Sequence, residues 1–347
     1  MAKIERAALT SEGTTQNMTQ LVKVGIIGFG TMGRIRCDAI QENGHGKVVA
    51  IAELERAPPS PDVRYHRSAE ALIADPEIEA VFICTPNYLN RPLTIQALQA
   101  GKHVFCEKPP ALTAGEVEEV MAVERASGGL KLMYGFNHRH HDSIKKAKEL
   151  VDSGVYGRIL WMRGRYGKSV DQEFYNTWRA KKEMAGGGIL MDQGIHMLDL
   201  LLMLGGDFQE VSAFVSNLFW NLDVEDNVFA ILRNSDGVVA SLHSTMTQWR
   251  HLFSLEIFLE HGYIVINGLL TTSGTYGEEQ LAVAKNRTTA PAATWDDEER
   301  TLFTVNNSWA SEVTQFLKAV RHDGPITVGN SDDALRLLKV IDKIYQK

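Results

Sequence analysis

The chain has 347 residues, of which 44% are hydrophobic and 23% are charged, and this composition is typical of a globular enzyme with two domains. Its formal net charge is −7 and it has no long basic run, which argues against a nucleic-acid partner. Its longest apolar stretches fall short of the roughly 20 residues that cross a bilayer, which argues against a membrane segment.

Residues 1–20 mix charged, Thr, Gln and Asn residues and lack the apolar core of a secretory signal, so we expect a flexible leader and a cytoplasmic protein. The three cysteines, Cys37, Cys84 and Cys106, are odd in number and show no CxxC spacing. This pattern predicts neither a disulfide framework nor a thiolate metal site, and it favours a reducing compartment.

The segment 21–142 alternates short β-rich runs with helical patterns, which is typical of βαβ units that wind a parallel sheet. The expected strands are 24–28, 48–52, 81–85, 103–106 and 131–136. The expected helices between them are 32–42, 69–74, 91–100 and 114–126. The pattern predicts an α/β Rossmann domain with a doubly wound parallel sheet.

The rhythm changes in the segment 143–330, where strands follow one another directly. The expected strands are 158–166, 210–216, 227–233, 238–245, 253–259 and 263–267, with helices at 188–204, 309–320 and 331–345, and loops at 271–277 and 288–294. Turn signals at 235–237 and 260–262 indicate hairpins. We therefore predict a mostly antiparallel sheet.

The turn Gly28-Phe29-Gly30-Thr31-Met32-Gly33 matches the GxGxxG pattern of dinucleotide-binding proteins. It closes the first strand and opens a helix, and the acidic Glu53 follows twenty residues after Gly33 at the end of the second strand. In this context Gly28 permits the tight turn, Gly30 lets the backbone approach a pyrophosphate, and Gly33 allows close helix packing. The motif predicts a bound nicotinamide dinucleotide.

The identity of residue 53 bears on the choice between NAD and NADP. A carboxylate at Glu53 accepts hydrogen bonds from the adenosine ribose and repels a 2′-phosphate, so NAD is favoured. Arg56 lies three residues further on and is able to hold such a phosphate. NADP, or mixed use of both cofactors, therefore stays open.

Four further segments carry a family resemblance: VFICTPN at 81–87, GKHVFCEKP at 101–109, GGG at 186–188 and DQGIH at 192–196. Their order and spacing over residues 22–344 resemble the glucose-fructose oxidoreductase/inositol dehydrogenase/MocA (Gfo/Idh/MocA) family. The resemblance implies a Rossmann domain followed by an α+β domain whose open sheet makes the contacts of a homotetramer or homodimer. It also implies that the helix 331–347 packs back on the first domain.

The resemblance adds residues to the expected cofactor site. It implies that Thr85, Pro86 and Asn87 line the cofactor, and that Asn90 does so where the family often has a histidine. The full expected set is Gly28, Phe29, Gly30, Thr31, Met32, Gly33, Glu53, Arg56, Thr85, Pro86, Asn87, Asn90, Glu107, Lys108 and Asn137.

Three residues are expected to be catalytic. Lys108 follows the fourth strand at the carboxyl edge of the sheet, where ligands bind in doubly wound folds. Asp192, His196 and Asp199 follow i, i+4 and i+7 spacing and should share one helix face, although Asp199 also fits a structural role. The resemblance implies that Lys108, Asp192 and His196 carry the reaction.

Those residue types suit the removal of a hydride and a proton from an alcohol. A histidine titrates near neutrality and is able to take the proton, and we expect Asp192 to orient the ring of His196. Lys108 is able to polarise the oxygen, and in the reductive direction it stabilises the developing alkoxide.

The run His138-Arg139-His140-His141 suggests a metal site, but neighbouring residues on a turn point in different directions, so we expect none. The resemblance places Asn137 and His138 beside nicotinamide and substrate, and it implies that 178–179 covers the substrate. The expected substrate contacts are Lys108, Asn137, His138, Tyr166, Trp178, Arg179, Asp192 and His196.

The sequence thus predicts an NAD-dependent or NADP-dependent oxidoreductase that interconverts a secondary alcohol and a ketone on a sugar, polyol or nucleotide sugar. One alternative is a dihydrodiol dehydrogenase or a sugar oxidoreductase that never releases its nucleotide. Another is a non-catalytic regulator that senses a dinucleotide. A regulator does not need an intact set of Lys108, Asp192 and His196, so the enzyme is favoured.

Overall fold

The computed structural model describes residues 21–53, 60–291 and 293–346 and contains two β-sheets. The expected leader 1–20 and the candidate phosphate ligand Arg56 lie outside the described residues.

The first sheet has six parallel strands in the order β3-β2-β1-β4-β5-β6. They are β1 (Val22–Ile27), β2 (Gly46–Ala52), β3 (Arg64–His66), β4 (Ala80–Ile83), β5 (His103–Glu107) and β6 (Leu132–Gly135). The strand order reverses between β1 and β4, which is where doubly wound sheets bind their ligands. The predicted parallel sheet is confirmed, whereas the short, mostly exposed edge strand β3 was not predicted.

The four predicted helices of this region are present as α1 (Thr31–Glu42), α2 (Ala69–Ile73), α3 (Asn90–Gln99) and α4 (Ala114–Ala126). The side chain of Ser68 accepts a hydrogen bond from the amide of Ala71 and caps α2. Thr113 caps α4 in the same way through the amide of Glu116. Such caps satisfy amides that the first turn of a helix leaves unpaired, and they explain why these two helices start where they do.

The second sheet has eight strands in the order β14-β13-β12-β11-β7-β10-β9-β8. They are β7 (Ile159–Ser169), β8 (Phe208–Ser216), β9 (Asn227–Asn234), β10 (Val239–Thr245), β11 (Thr247–Leu259), β12 (Gly262–Asn267), β13 (Glu279–Lys285) and β14 (Glu299–Phe303). Neighbouring strands are antiparallel except β7 and β10, which are parallel. The predicted mostly antiparallel sheet is confirmed.

The remaining helices are α5 (Asp142–Asp152), α6 (Lys182–Ala185), α7 (Ile195–Gly205), α8 (Ser308–His322) and α9 (Ser331–Tyr345). The segment 188–204 is not one regular helix as predicted, because a π-helical turn at Leu190–Gly194 precedes α7. By length and composition Lys182–Gly205 would be able to cross a membrane, but 78% of its most apolar window is buried inside the fold. Such burial is typical of a core helix.

Both carboxy-terminal helices pack against the region of the parallel sheet, and α9 also contacts the second sheet. Helix α8 packs against α1. Its Phe316 completes an aromatic cluster with Phe82 and Phe105, which stack on each other with their ring centroids 4.7 Å apart. Helix α9 packs against α4 and also against α7 and β8, so it contacts both layers. The division into domains at 142/143 stays a prediction.

A buried ion-pair cluster ties α1 and α8 to the strand that ends beside the expected catalytic lysine. The fully buried Arg36 donates from Nε to Glu107 at 2.6 Å and from Nη1 to Glu312 at 2.6 Å. Removing the arginine would leave two buried carboxylates without their cation, which costs roughly 3–5 kcal/mol. The cluster therefore fixes Glu107 and, with it, the position of the next residue, Lys108.

Candidate active site

A cavity of about 950 Å³ lies at the carboxyl edge of the parallel sheet, and its wall contains residues one or two positions after the ends of β1, β2, β4, β5 and β6. The predicted residues on this wall are Gly28, Gly30, Thr31, Met32, Glu53, Thr85, Pro86, Asn87, Glu107, Lys108, Asn137, His138, Tyr166, Trp178, Arg179, Asp192 and His196. The fold therefore brings the expected cofactor residues and the expected catalytic residues to one place.

The glycine turn has the shape that a dinucleotide pyrophosphate requires. Gly28 has φ +83°, and a Cβ atom there would lie 2.5 Å from the carbonyl oxygen of Cys84. At Gly33, a Cβ atom would lie 2.1 Å from the carbonyl oxygen of Gly28. The turn stays close to α1, whose first residues Thr31 and Met32 line the cavity, so backbone N–H groups face the space that an anion would occupy. Gly33 and Phe29 shape the turn without lining the cavity.

Glu53 holds the position expected of a ribose ligand. It lies on the cavity wall just after β2, and its carboxylate accepts a hydrogen bond of 2.7 Å from the amide of Phe29. This bond fixes the carboxylate beside the glycine turn. Its role as a ligand of the adenosine ribose stays a prediction.

Asn90 does not contribute to the wall of the cavity, in contrast to the expectation from the sequence. Its side chain is fully buried, and its amide donates hydrogen bonds to the carbonyl oxygens of Glu107 at 3.1 Å and Pro109 at 2.7 Å. The hydroxyl of Thr85 donates to its side-chain oxygen at 3.3 Å. Asn90 therefore supports the loop that carries Lys108, because both of its polar atoms are already used inside the fold.

Lys108 and Asp192 meet although one directly follows β5 and the other lies in the π-helical turn before α7. The Lys108 ammonium donates to the backbone carbonyl of Asp192 at 2.6 Å and lies 3.5 Å from its carboxylate. Burial lowers the pKa of Lys108, while Asp192 opposes that effect. The ammonium is thus held in place at the cavity wall, and its proton is easier to lose than that of an exposed lysine.

Two more cations surround the Asp192 carboxylate. Lys168 forms a short ion pair with it, and the Arg179 Nε atom lies 3.6 Å away. Burial raises the pKa of Asp192, but Lys168, Lys108 and Arg179 outweigh burial, so the pKa lies below its ordinary value. Asp192 is an anion that organises three cations.

Lys168 was missed in the sequence, although a signal for it existed. It lies two residues after Tyr166 on β7, and residues i and i+2 of a strand share a face. Because Tyr166 lines the cavity, Lys168 points to the same side of the sheet.

The imidazole of His196 lines the cavity and stacks on that of His138, with ring centroids 3.9 Å apart. Its Nδ1 atom has no hydrogen-bond partner among the described residues, so the expectation that Asp192 orients this ring is wrong. The physical reason is the π-helical turn, which ends at Gly194 and changes the angular offset between residues 192 and 196. The His138 ring takes over the positioning.

His138 is held by polar contacts on both ring nitrogens. The Asn137 amide donates to Ser308 at 3.5 Å, so its oxygen accepts from Nδ1 of His138 at 3.1 Å. The hydroxyl of Tyr166 then donates to Nε2 at 3.0 Å. Burial lowers the pKa of His138 well below its ordinary range. His138 is therefore a neutral ring that packs against His196.

The two residues expected to cover the substrate, Trp178 and Arg179, lie in a short 3₁₀ helix, Trp178–Ala180, beside the cavity. The Arg179 guanidinium lies 4.5 Å from the centre of the Trp178 ring. Both side chains line the cavity, as the resemblance implied for substrate contacts. Their contact with a substrate stays a prediction.

The other residues of the histidine-rich run point to separate partners. Arg139 pairs with Asp199 and Asp333, and this buried pair gives Asp199 the structural role that the sequence left open. His140 contacts Ser311. His141 lies on the cavity wall and contacts Glu279.

The cavity wall also contains residues that the sequence did not single out. Four of them belong to the segment 270–273, and the set includes Arg67, Ser68, Gln193, Leu270, Thr271, Thr272, Ser273, Tyr276, Asn306 and Trp309. Most of them come from loops, whose path a sequence pattern does not determine.

Two sequence-family profiles match this chain. One, described as an oxidoreductase family with an NAD-binding Rossmann fold, covers residues 22–136. The other, described as the Gfo/Idh/MocA carboxy-terminal domain, covers residues 144–265.

Named relatives agree with the profiles. Levoglucosan dehydrogenase of Pseudarthrobacter phenanthrenivorans is 32% identical over 224 residues, and the match spans 57% of this chain and 57% of that relative. 1,5-Anhydro-D-fructose reductase of Ensifer adhaerens is 30% identical over 226 residues, which cover 62% of this chain and 67% of the relative.

A solved structure of levoglucosan dehydrogenase in complex with NADH and levoglucosan superposes with a TM-score of 0.81 at 26% identity, over 94% of this chain and 97% of that one. The glycine turn, the cavity and the profile matches thus agree, and the chain belongs to the Gfo/Idh/MocA family of NAD(P)-binding oxidoreductases.

Proposed function

We propose that this oxidoreductase interconverts a secondary alcohol and a ketone on a sugar, a polyol or a nucleotide sugar. One observation carries the proposal: Lys108, Asp192 and His196 line the same cavity as the glycine turn. A nicotinamide bound there supplies the hydride acceptor or donor.

The protein's own residues handle the proton and the oxygen. In the oxidative direction neutral His196, which lines the cavity, takes the hydroxyl proton through Nε2, because its other ring nitrogen, Nδ1, is buried. Lys108 donates a hydrogen bond to the same oxygen, and Asp192 holds the ammonium in position. In the reductive direction Lys108 stabilises the developing alkoxide and protonated His196 delivers the proton.

The wall of the cavity supports a substrate rich in hydroxyl groups. Thr271, Thr272 and Ser273 present hydroxyls, and Gln193 presents an amide. Aromatic surface is contributed by Trp178, Tyr166 and Tyr276. Such a mixture of polar groups and aromatic rings suits a sugar or polyol, which has hydroxyls around its ring, better than a dihydrodiol, which has only two.

The test is a screen of the purified protein for reduction of NAD and NADP with levoglucosan, myo-inositol, methyl β-D-glucoside and UDP-glucose as alcohols. The reverse screen uses NADH or NADPH with 1,5-anhydro-D-fructose as the ketone. We expect turnover with at least one compound. Binding of the nucleotide without turnover in either direction would instead favour a regulator.

The pH dependence of kcat/KM should reflect His196 and Lys108. Burial, followed by the charge of Lys108, lowers the pKa of His196 well below its ordinary value of 6.5, and burial lowers that of Lys108 below 10.5. Oxidation needs neutral His196 and protonated Lys108. In the pH profile of kcat/KM for oxidation, we therefore expect the acid limb, set by His196, below pH 6.5 and the basic limb, set by Lys108, below pH 10.5. Reduction needs protonated His196 and should accelerate as the pH falls. An acid limb of oxidation above pH 6.5 would contradict the assignment.

We further propose that NAD is preferred over NADP because of Glu53. The variant Glu53→Ala removes the negative charge beside the ribose and should raise kcat/KM for NADP relative to NAD by about tenfold or more, which corresponds to about 1.4 kcal/mol. The nearby exposed variant Glu70→Ala, on the same wall, is the matched control. A native protein that binds NADP more tightly than NAD would refute the preference.

The open face of the second sheet supports a homo-oligomer, a homotetramer or a homodimer. Phe214, Phe229 and Ile231 alternate to this face of β8 and β9 and are 78%, 52% and 53% exposed. A contiguous apolar surface of this kind is typical of an interface. The variant Phe229→Asp should lower the molar mass measured by light scattering, whereas Val155→Asp, at a separate exposed site, should not. An unchanged mass for both variants would remove this face from the interface.

A further inference from the structure

Outside the Lys108, Asp192 and His196 set, the cavity contains a second group that is built to move a proton. His141 is 2% exposed in the fold yet lies on the cavity wall. Its Nδ1 atom is 2.9 Å from the carboxylate of Glu279, the first residue of β13. The oxidation of an alcohol, as proposed above, does not use this pair.

The carboxylate of Glu279 is held firmly as an anion. It is 1% exposed, and it accepts hydrogen bonds from the Ser143 hydroxyl at 2.5 Å and the Leu270 amide at 2.9 Å. Burial raises the pKa of Glu279, but the hydrogen bonds that it accepts from His141, Ser143 and Leu270 outweigh burial and lower it.

This arrangement sets the tautomer of His141. An anionic carboxylate accepts the proton on Nδ1, so the lone pair lies on Nε2. The Nε2 atom makes no hydrogen bond to any residue that the structure describes. A histidine oriented by a carboxylate, with its other nitrogen free at a cavity, is the arrangement of a general base.

The pair is close to the reacting centre. The ring of His141 lies 5.7 Å from that of His138, which stacks on His196 at 3.9 Å. Leu270, whose amide binds Glu279, lines the same cavity together with Thr271. His141 and His196 therefore line the same cavity, separated by the ring of His138.

A ketone makes the C–H bond on its neighbouring carbon acidic, and the ketone is the product of the proposed oxidation. We propose that the His141–Glu279 pair enolises this ketone, so that the enzyme has a proton-transfer activity in addition to hydride transfer. The inference rests on the proposed function for the identity of the ketone.

The step balances without a further reagent. Nε2 of His141 takes the proton from the carbon next to the carbonyl, the C–H electron pair forms the enolate double bond, and Lys108 stabilises the enolate oxygen. Return of a proton from His141 regenerates the ketone, and nothing is oxidised or reduced. Some ketones carry an ether oxygen on the carbon beyond the deprotonated one. There the enolate eliminates this oxygen: the C–O electron pair moves to the oxygen, and His196 protonates it.

The test is hydrogen exchange in D₂O. 1,5-Anhydro-D-fructose and 2-keto-myo-inositol are incubated separately with the protein and NAD, and proton NMR follows the C–H signals next to the carbonyl. We expect exchange with at least one ketone at about ten times the protein-free rate or more. The variant His141→Asn should lower that rate by about 100-fold, within the range for loss of a general base. The distant variant His261→Asn should retain it.

A second variant and a second readout keep the outcome clear. Glu279→Gln should lower the exchange rate by about tenfold. If NADH fluorescence shows that His141→Asn no longer binds the cofactor, the exchange rate of Glu279→Gln is the deciding result. Absence of exchange with both ketones, or an unchanged rate in the variants, would overturn the inference. Exchange by a protein that neither oxidises nor reduces any compound of the screen would overturn the proposed function and leave this inference standing.

Discussion

Replacing Lys108 by methionine should lower kcat by about 10²–10⁴-fold, because the variant loses the ammonium that polarises the reacting oxygen. Methionine keeps much of the length and the apolar stem of lysine, so the cavity changes little in shape. The loss should appear in both directions of the reaction, since Lys108 acts on the carbonyl oxygen in one direction and on the hydroxyl oxygen in the other. Initial rates at saturating cofactor and substrate measure the effect.

Lys339→Met is the matched control for this prediction. Lys339 lies on α9 with an exposed side chain, paired at 3.4 Å with Glu118 on the surface, so its loss should leave kcat within about twofold. A Lys108→Met protein that binds the dinucleotide as the wild type does, and whose kcat falls by less than threefold, would remove Lys108 from the mechanism.

His196→Asn should lower kcat/KM for oxidation by about 10²–10⁴-fold and remove the acid limb of its pH profile. Asparagine is able to donate and accept hydrogen bonds, but it does not titrate in the relevant range, so substrate binding suffers less than proton transfer. The acid limb should vanish because the group that titrates is gone. The profile is measured with the compound identified in the alcohol screen.

His261→Asn serves as the control, because His261 lies at the exposed turn between β11 and β12, away from the cavity. If His196→Asn keeps both its rate within threefold and its acid limb, another residue is the base. His138 would then be the first alternative, since it stacks on His196 and lines the same cavity.

Much of the fold is readable from the sequence because both sheets leave strong periodic signals. Buried parallel strands such as Ala80–Ile83 are continuous apolar runs, and the glycine turn marks the first crossover. β14 was missed because four of its five residues are exposed, which leaves no alternating pattern. β13 was missed beside a segment that had been interpreted as a loop. α5 was missed beside the expected domain boundary.

The site was predictable where a residue follows a strand and less so where distant segments meet. Lys108 and Glu53 each follow a parallel strand, so the topology brings them to one edge. Lys168 comes from the other sheet, and its ion pair with Asp192 depends on how the two layers pack. The offset between Asp192 and His196 depends on a π-helical turn, which regular helical spacing does not predict.

The central claim is that this protein moves a hydride between an alcohol carbon and nicotinamide at the Lys108, Asp192 and His196 site. The most direct measurement uses levoglucosan, or whichever alcohol the screen identifies, deuterated at its carbon-bound positions, with NAD and the purified protein. Mass spectrometry of the reduced cofactor should show one deuterium per molecule with the wild type and almost no reduced cofactor with Lys108→Met. Reduced cofactor without deuterium, or equal labelling in the variant, would contradict the claim.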